Sequence, residues 1–101
     1  MNSQLVFAIN SRNRVKFKYD GELRTVEPYR YGRSMKGDKD LLRGYQLINH
    51  AHPLEQKGWR LFDVSGISGI EILNDHITTL QSDYGFGDKQ MLSPYFAEIR
   101  R

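Results

Sequence analysis

Arg14-Val15-Lys16-Phe17-Lys18-Tyr19-Asp20-Gly21-Glu22 decides the reading of this chain. Bases fall on the even positions from 14 to 18, and Val15, Phe17 and Tyr19 on the odd ones. A strand alternates its side chains between two faces, so this pattern predicts a half-buried strand with a basic outer face. Asp20-Gly21 then signals a hairpin, because glycine accepts the positive φ of a tight turn. Glu22–Tyr31 reads as the return strand, with Pro28 marking an edge or a bend. An even-length turn would set the register by parity, with Arg24 and Val26 on the face of Val15 and Phe17, whereas a three-residue loop with a bulge would cancel this. An arginine on an apolar face is unusual enough to mark a candidate site.

Outward from the hairpin, Ser3–Arg12 reads as a short helix with Leu5, Val6 and Ile9 on one side and Ser3 as N-cap. About ten residues cannot hold a helix alone, so it must pack on the strands. Gly32–Lys39 is a polar loop, Leu41–Ile48 a third strand, and Asn49–Lys57 a loop. Trp59–Val64 and Ile67–Leu73 complete a set of about five strands. In the fourth, Arg60 shares a face with Phe62 and Val64, while Trp59 and Leu61 share the other. Ile77–Tyr84 reads as a strand or a helical turn, and Gly85-Phe86-Gly87 as a flexible turn. Ser93-Pro94 sets up a short C-terminal helix. The expected fold is mainly β: a single domain over 1–101, with an N-terminal helix (1–13), a small, bent SH3/Sm-like β-barrel (14–74) and a C-terminal extension (75–101).

The chain has 101 residues, no cysteine, six Tyr, five Phe and one Trp. Disulfides, thiolate metal sites and cysteine nucleophiles are excluded. Apolar runs are too short for a transmembrane helix or a secretory signal, so a cytoplasmic protein without membrane association is expected. The net charge is +3. Residues 1–50 carry ten Lys/Arg and five Asp/Glu, and residues 51–101 carry five and seven, so the halves balance at +5 and −2. A basic half with interleaved aromatics fits an anionic partner, and equally an ordinary solvated face.

In order along the chain stand Ala8-Ile9, Val15-Lys16-Phe17-Lys18-Tyr19, Arg24-Thr25-Val26-Glu27-Pro28, Leu42-Arg43-Gly44-Tyr45 and Arg60-Leu61-Phe62 leading into Ile67. Over Leu5–Leu73 this series resembles the WYL domain, a bacterial module usually joined to a winged helix-turn-helix. The resemblance implies an Sm-like barrel that binds a negatively charged ligand or single-stranded nucleic acid. Such domains serve as sensors in transcription regulators or as accessories in CRISPR and phage-defence systems. The family's Trp-Tyr-Leu triplet falls on Asp40-Leu41-Leu42, so its Trp and Tyr are absent. Of two family arginines, the first maps to Arg60 and the later one to Gly66. Only about 14 residues precede the first strand, so a recognition helix reading duplex DNA is not expected.

Arg24 and Arg60 are the leading ligand contacts, since guanidinium groups bind phosphate through paired hydrogen bonds and stay charged. The structural alternative pairs them with Glu27 or Asp63. Tyr45 and Trp59 are the stacking candidates of the ligand site, with Tyr29 and Tyr31 also available. Arg14, Lys16 and Lys18, spaced about 6.6 Å apart along one strand face, form a track for a nucleic-acid backbone that Lys36 would lengthen. The alternative is an edge strand protected by lysine. His50 and His52 have the spacing of two ligands on one side of an extended segment, and His76 with Asp75 could complete a metal site, but nothing else supports one. No nucleophile has a base at a recognisable spacing, so no catalytic residues, metal or cofactor are expected. The preferred function is a regulatory or accessory domain binding single-stranded nucleic acid or a nucleotide. The alternative is a protein-interaction or self-association module.

Overall fold

The hairpin forms the centre of the molecule in a computed structural model that describes residues 1–85 and 87–101. Strands β1 (Asn13–Tyr19) and β2 (Glu22–Arg33) are joined by Asp20 and Gly21, whose φ angles of 53° and 73° are both left-handed. Two such residues make the turn whose twist matches the strands. The register follows: Tyr19 opposes Glu22, Phe17 opposes Arg24, and Val15 opposes Val26. Parity alone thus put Arg24 on the Phe17 face. Val15, Phe17 and Val26 are fully buried, while Lys18 is exposed.

The chain continues through β3 (Asp40–Asn49), β4 (Gly58–Asp63), a 3-10 turn over Val64–Gly66, and β5 (Ile67–His76). The antiparallel sheet runs β4-β3-β2-β1-β5. Register shifts interrupt both the β2–β3 and β1–β5 ladders, and such bulges bend the sheet. Among the described residues no pairing joins β4 to β5, so the sheet is not closed. Strand β1 lies between β2 and β5, so its lysines do not protect an edge, contrary to that alternative.

Helix α1 (Ser3–Ser11) buries Leu5, Ala8 and Ile9 against the sheet. Its N-cap is Asn2 rather than the expected Ser3: the Asn2 side chain accepts from the Leu5 N–H at 3.1 Å. The Asn2 backbone N–H donates to the Tyr31 hydroxyl at 2.7 Å, which holds the cap in place. The core closes around Phe17, Tyr19 and Phe62, with edge-on rings 5.1 and 5.0 Å apart.

The expected C-terminal helix does not form. Instead β6 (Ala97–Glu98) pairs with β2, setting Ala97 opposite Tyr31 and Glu98 opposite Arg30. The reason is period two: Ala97 and Ile99 are buried, and Phe96 and Ile99 donate backbone bonds to Tyr31 and Tyr29 at 2.9 and 2.8 Å. These long-range gains outweigh the local helix-start signal. Strand β1 leaves β2 after Val26 and β6 joins at Arg30, so Pro28 occupies the gap, where neither neighbour needs its missing N–H. Residues 77–84 are neither strand nor helix; they lie across β2 as irregular chain. The middle of the expected Gly85-Phe86-Gly87 turn lies outside the described residues. No helix among the described residues is long and apolar enough to cross a membrane.

Candidate functional site

Arg24 and Arg60 do meet in one network, but each is already neutralised. Arg24 donates to Glu22 Oε1 at 3.0 Å and to Gln46 Oε1 at 3.2 Å, and its guanidinium lies 5.3 Å from the Tyr19 ring centre. Gln46 passes the chain on to Glu55 at 2.5 Å. Arg60 sits 3.9 Å from that carboxylate and donates to the Gln56 and Trp59 carbonyls. Asn49 and then His52 hydrogen-bond Glu22 and hold its carboxyl below the ordinary range. Each guanidinium therefore already has a carboxylate beside it. The pairing partners are Glu22 and Glu55, not the expected Glu27 or Asp63. Arg14 takes Glu27, and Asp63 accepts the Ser65 N–H.

The expected backbone track is broken. Arg14 is bound at 3.0 Å to Glu27, which is only 2% exposed. Lys16 stands opposite Glu71, leaving Lys18 as the exposed member. Lys36 does not extend the row. It lines a separate depression with Tyr19 and Lys39, where Asp38 and Asp63 offset both lysines. His50 lies 2.8 Å from Thr25, His52 2.7 Å from Glu22, and His76 3.3 Å from the Ser11 carbonyl. Among the described residues no three His, Asp or Glu side chains converge as metal ligands.

Trp59 and Arg60 are strand neighbours and so face opposite sides of the sheet. The four expected ligand contacts are therefore split: Arg24 and Arg60 on one face, Tyr45 and Trp59 on the other. Tyr45 opposes Trp59 across β3 and β4, with rings 5.3 Å apart. Tyr29 and Tyr84 complete the cluster at 4.8 and 5.5 Å from the indole. Burial pushes the Tyr29 hydroxyl up to about 12 and raises that of Tyr84 as well.

Beside this cluster lies a cavity of about 270 Å³, lined by Trp59 and Tyr84 together with Arg30, Arg43, Asp83, Asp88 and Lys89. That volume is close to the lower end for small-ligand sites. Arg30 and Arg43 stand opposite each other on β2 and β3. Arg30 is 1% exposed and committed: it donates to Glu98, to Asp88 at 3.3 Å and to the Gly85 carbonyl at 3.3 Å, between the rings of Tyr84 and Tyr95. It anchors the C-terminal segment. Arg43 is partly exposed and donates Nε and Nη2 to the two Asp88 oxygens at 3.0 and 3.5 Å. Among the described residues its Nη1 has no protein acceptor. Burial pushes the Asp88 carboxyl up, but the Arg43 and Gln90 hydrogen bonds and the two guanidinium charges outweigh it. The net effect holds Asp88 below the ordinary range.

Arg43 had a sequence signal: two residues before Tyr45, it must share that side chain's face. Arg30 and Asp88 had none, because the bulges of β2 and the irregular path of the tail place them. No family model, curated protein or solved structure matches this chain.

Proposed function

We propose that this chain is a WYL-like binding module, its bent sheet of SH3/Sm-like barrel type, which recognises a nucleotide-sized anion in a cytoplasmic regulatory or accessory role. The observation that carries the reading is the cavity itself: Arg43 and Lys89 supply positive charge beside the indole of Trp59. Guanidinium groups suit phosphate, and an aromatic wall suits a base. The volume favours one nucleotide, free or at the end of a single strand, over a strand tracked along β1. The chain works by binding rather than catalysis.

Fluorescence-anisotropy titration with a labelled nucleotide, a single-stranded oligonucleotide and a duplex, at two salt concentrations, tests this. Affinity should fall with salt. Arg43→Ala should weaken binding about 10- to 100-fold, the size of a hydrogen bond to a charged group. Arg24→Ala and Arg60→Ala should leave affinity nearly unchanged. No binding at low salt, or a loss confined to the Arg24 and Arg60 variants, sinks the assignment.

A second reading has one observation behind it. The outer edges of β4 and β5 have no strand partner among the described residues, and open edges accept strands of other chains. Sedimentation showing a stable oligomer without nucleotide binding would favour this protein-interaction module.

A further inference from the structure

Asp88 meets Arg43 fork to fork: Oδ2 accepts from Nε at 3.0 Å and Oδ1 from Nη2 at 3.5 Å. This is the arrangement in which arginine binds phosphate. The same carboxylate accepts from Arg30 Nη1 at 3.3 Å, so one acidic group sits between two guanidiniums. The Asp88 side chain is 7% exposed, whereas that of Arg43 is 23% exposed. The fork therefore opens on the cavity and is already filled from within.

We propose that Asp88 is the cavity's internal counter-anion, and that the ligand takes its place with a terminal phosphate. This rests on the anion-binding reading above. Charge balance selects the terminal group. Arg30, Arg43 and Lys89 contribute three positive charges, of which Glu98 on Arg30 offsets one and Asp83 on the rim another. With the Asp88 carboxylate turned out to water, one net positive charge remains, from Arg43 and Lys89 against Asp83. A terminal phosphate, close to dianionic at neutral pH, brings more charge to Arg43 and Lys89 than the carboxylate it replaces. An internal phosphodiester carries one negative charge, the same as Asp88, and gains nothing by exchanging with it. Bidentate geometry points the same way, since a terminal phosphate offers three outer oxygens to Arg43 and Lys89. The exchange gives up the bond from the Gln90 N–H to Asp88 Oδ1 at 2.9 Å, so that amide reports on it.

The test is calorimetric titration of the full chain with adenosine 5′-monophosphate, adenosine, and adenylyl-adenosine lacking a terminal phosphate. A 5′-phosphorylated oligonucleotide distinguishes a strand end from a free nucleotide as the source of the phosphate. The monophosphate should bind at least about tenfold tighter than the diester, the size of one charge-assisted contact. Asp88→Asn should tighten monophosphate binding by a similar factor. Asp83→Asn removes the same charge from the cavity rim without touching Arg43, and should change affinity far less. Should Asp88→Asn not fold, hydrogen exchange on the unaltered chain decides: the Gln90 amide should exchange faster with saturating monophosphate, and equal or slower exchange refutes displacement. Equal affinities for monophosphate and diester, or equal effects of the two Asp variants, overturn the displacement but leave the anion site standing. No binding of any probe by either the unaltered chain or Asp88→Asn overturns both.

Discussion

Gly44→Ala offers a quantitative check on the core geometry. Gly44 opposes Pro28 on β2 and Arg60 on β4, so its missing side chain faces the packed interior. A Cβ there would lie 2.5 Å from Val26 Cγ1, 3.2 Å from the Glu27 carbonyl oxygen and 3.7 Å from the Phe62 ring. Apolar carbons prefer about 3.5–4.0 Å, so the first contact is roughly 1 Å too close. Val26 is fully buried and, being β-branched, has few χ1 alternatives. Overpacking of this kind costs about 1–3 kcal/mol, less about 0.4–1 kcal/mol regained from the stiffer unfolded chain. The expected net loss is about 1.3 kcal/mol, or a fall in Tm of about 5–10 °C for a domain this size. Val26→Ala alone should lose about 2 kcal/mol, from two methyl groups and the cavity they leave. In the double variant the new Cβ fills space that Val26 has vacated, so it should lose about 2 kcal/mol rather than the additive value of about 3. Urea or thermal unfolding of the four proteins measures the cycle. Additive losses, or an unaffected Gly44→Ala, would refute the close approach of β3 to β2 at this position.

Arg30→Met should destabilise the fold by about 3–5 kcal/mol, because it strands Asp88 and Glu98 without their buried partner. The loss should show in a chemical-denaturation curve, and limited proteolysis should cut first in the C-terminal segment. In alkali, Tyr29, Tyr31 and Tyr84 should ionise later than an ordinary phenol, as burial raises all three. Their folded values lie above their unfolded ones, so stability is full below about pH 10 and declines as pH rises beyond it. Phenolate absorbance should therefore rise in two stages, the second coinciding with loss of far-ultraviolet circular dichroism. A single stage completed in the folded state would contradict the burial of these hydroxyls.

How far the fold could be read from the chain depended on the range of the interactions. Residues 14–26 were legible because alternation and turn chemistry are both local, and parity then carried Arg24 to the correct face. Ser93-Pro94 misled because its helix-start signal is also local, while the pairing of Ala97 and Glu98 with β2 is made across more than sixty residues. The site divided in the same way. That Trp59 and Arg60 face apart follows from period two, so grouping them as contacts to one ligand ran against the strand reading itself. That Glu22 shares a face with Arg24 follows from period two as well, whereas the pairing of Glu55 with Arg60 depends on how the loop over residues 50–57 folds back, which composition does not encode. Arg43 was within reach through its spacing from Tyr45. Arg30 and Asp88 were not, since two bulges and an irregular tail decide where they meet.

Tyr31 ties the two ends of the chain to one residue. Its hydroxyl accepts from the Asn2 N–H, and its carbonyl accepts from the Phe96 N–H. As a path, the backbone is therefore nearly a ring, with residues 2 and 96 as its open ends. A short linker between them would close the ring without crossing the sheet. New ends could be opened in residues 50–57, which are exposed throughout and have no strand pairing of their own. The rearranged chain would keep the pairings among β1 to β5 but, closed at residue 96, would lose β6 and the Glu98 partner of Arg30, while the strands that are now last in sequence became the first to be made.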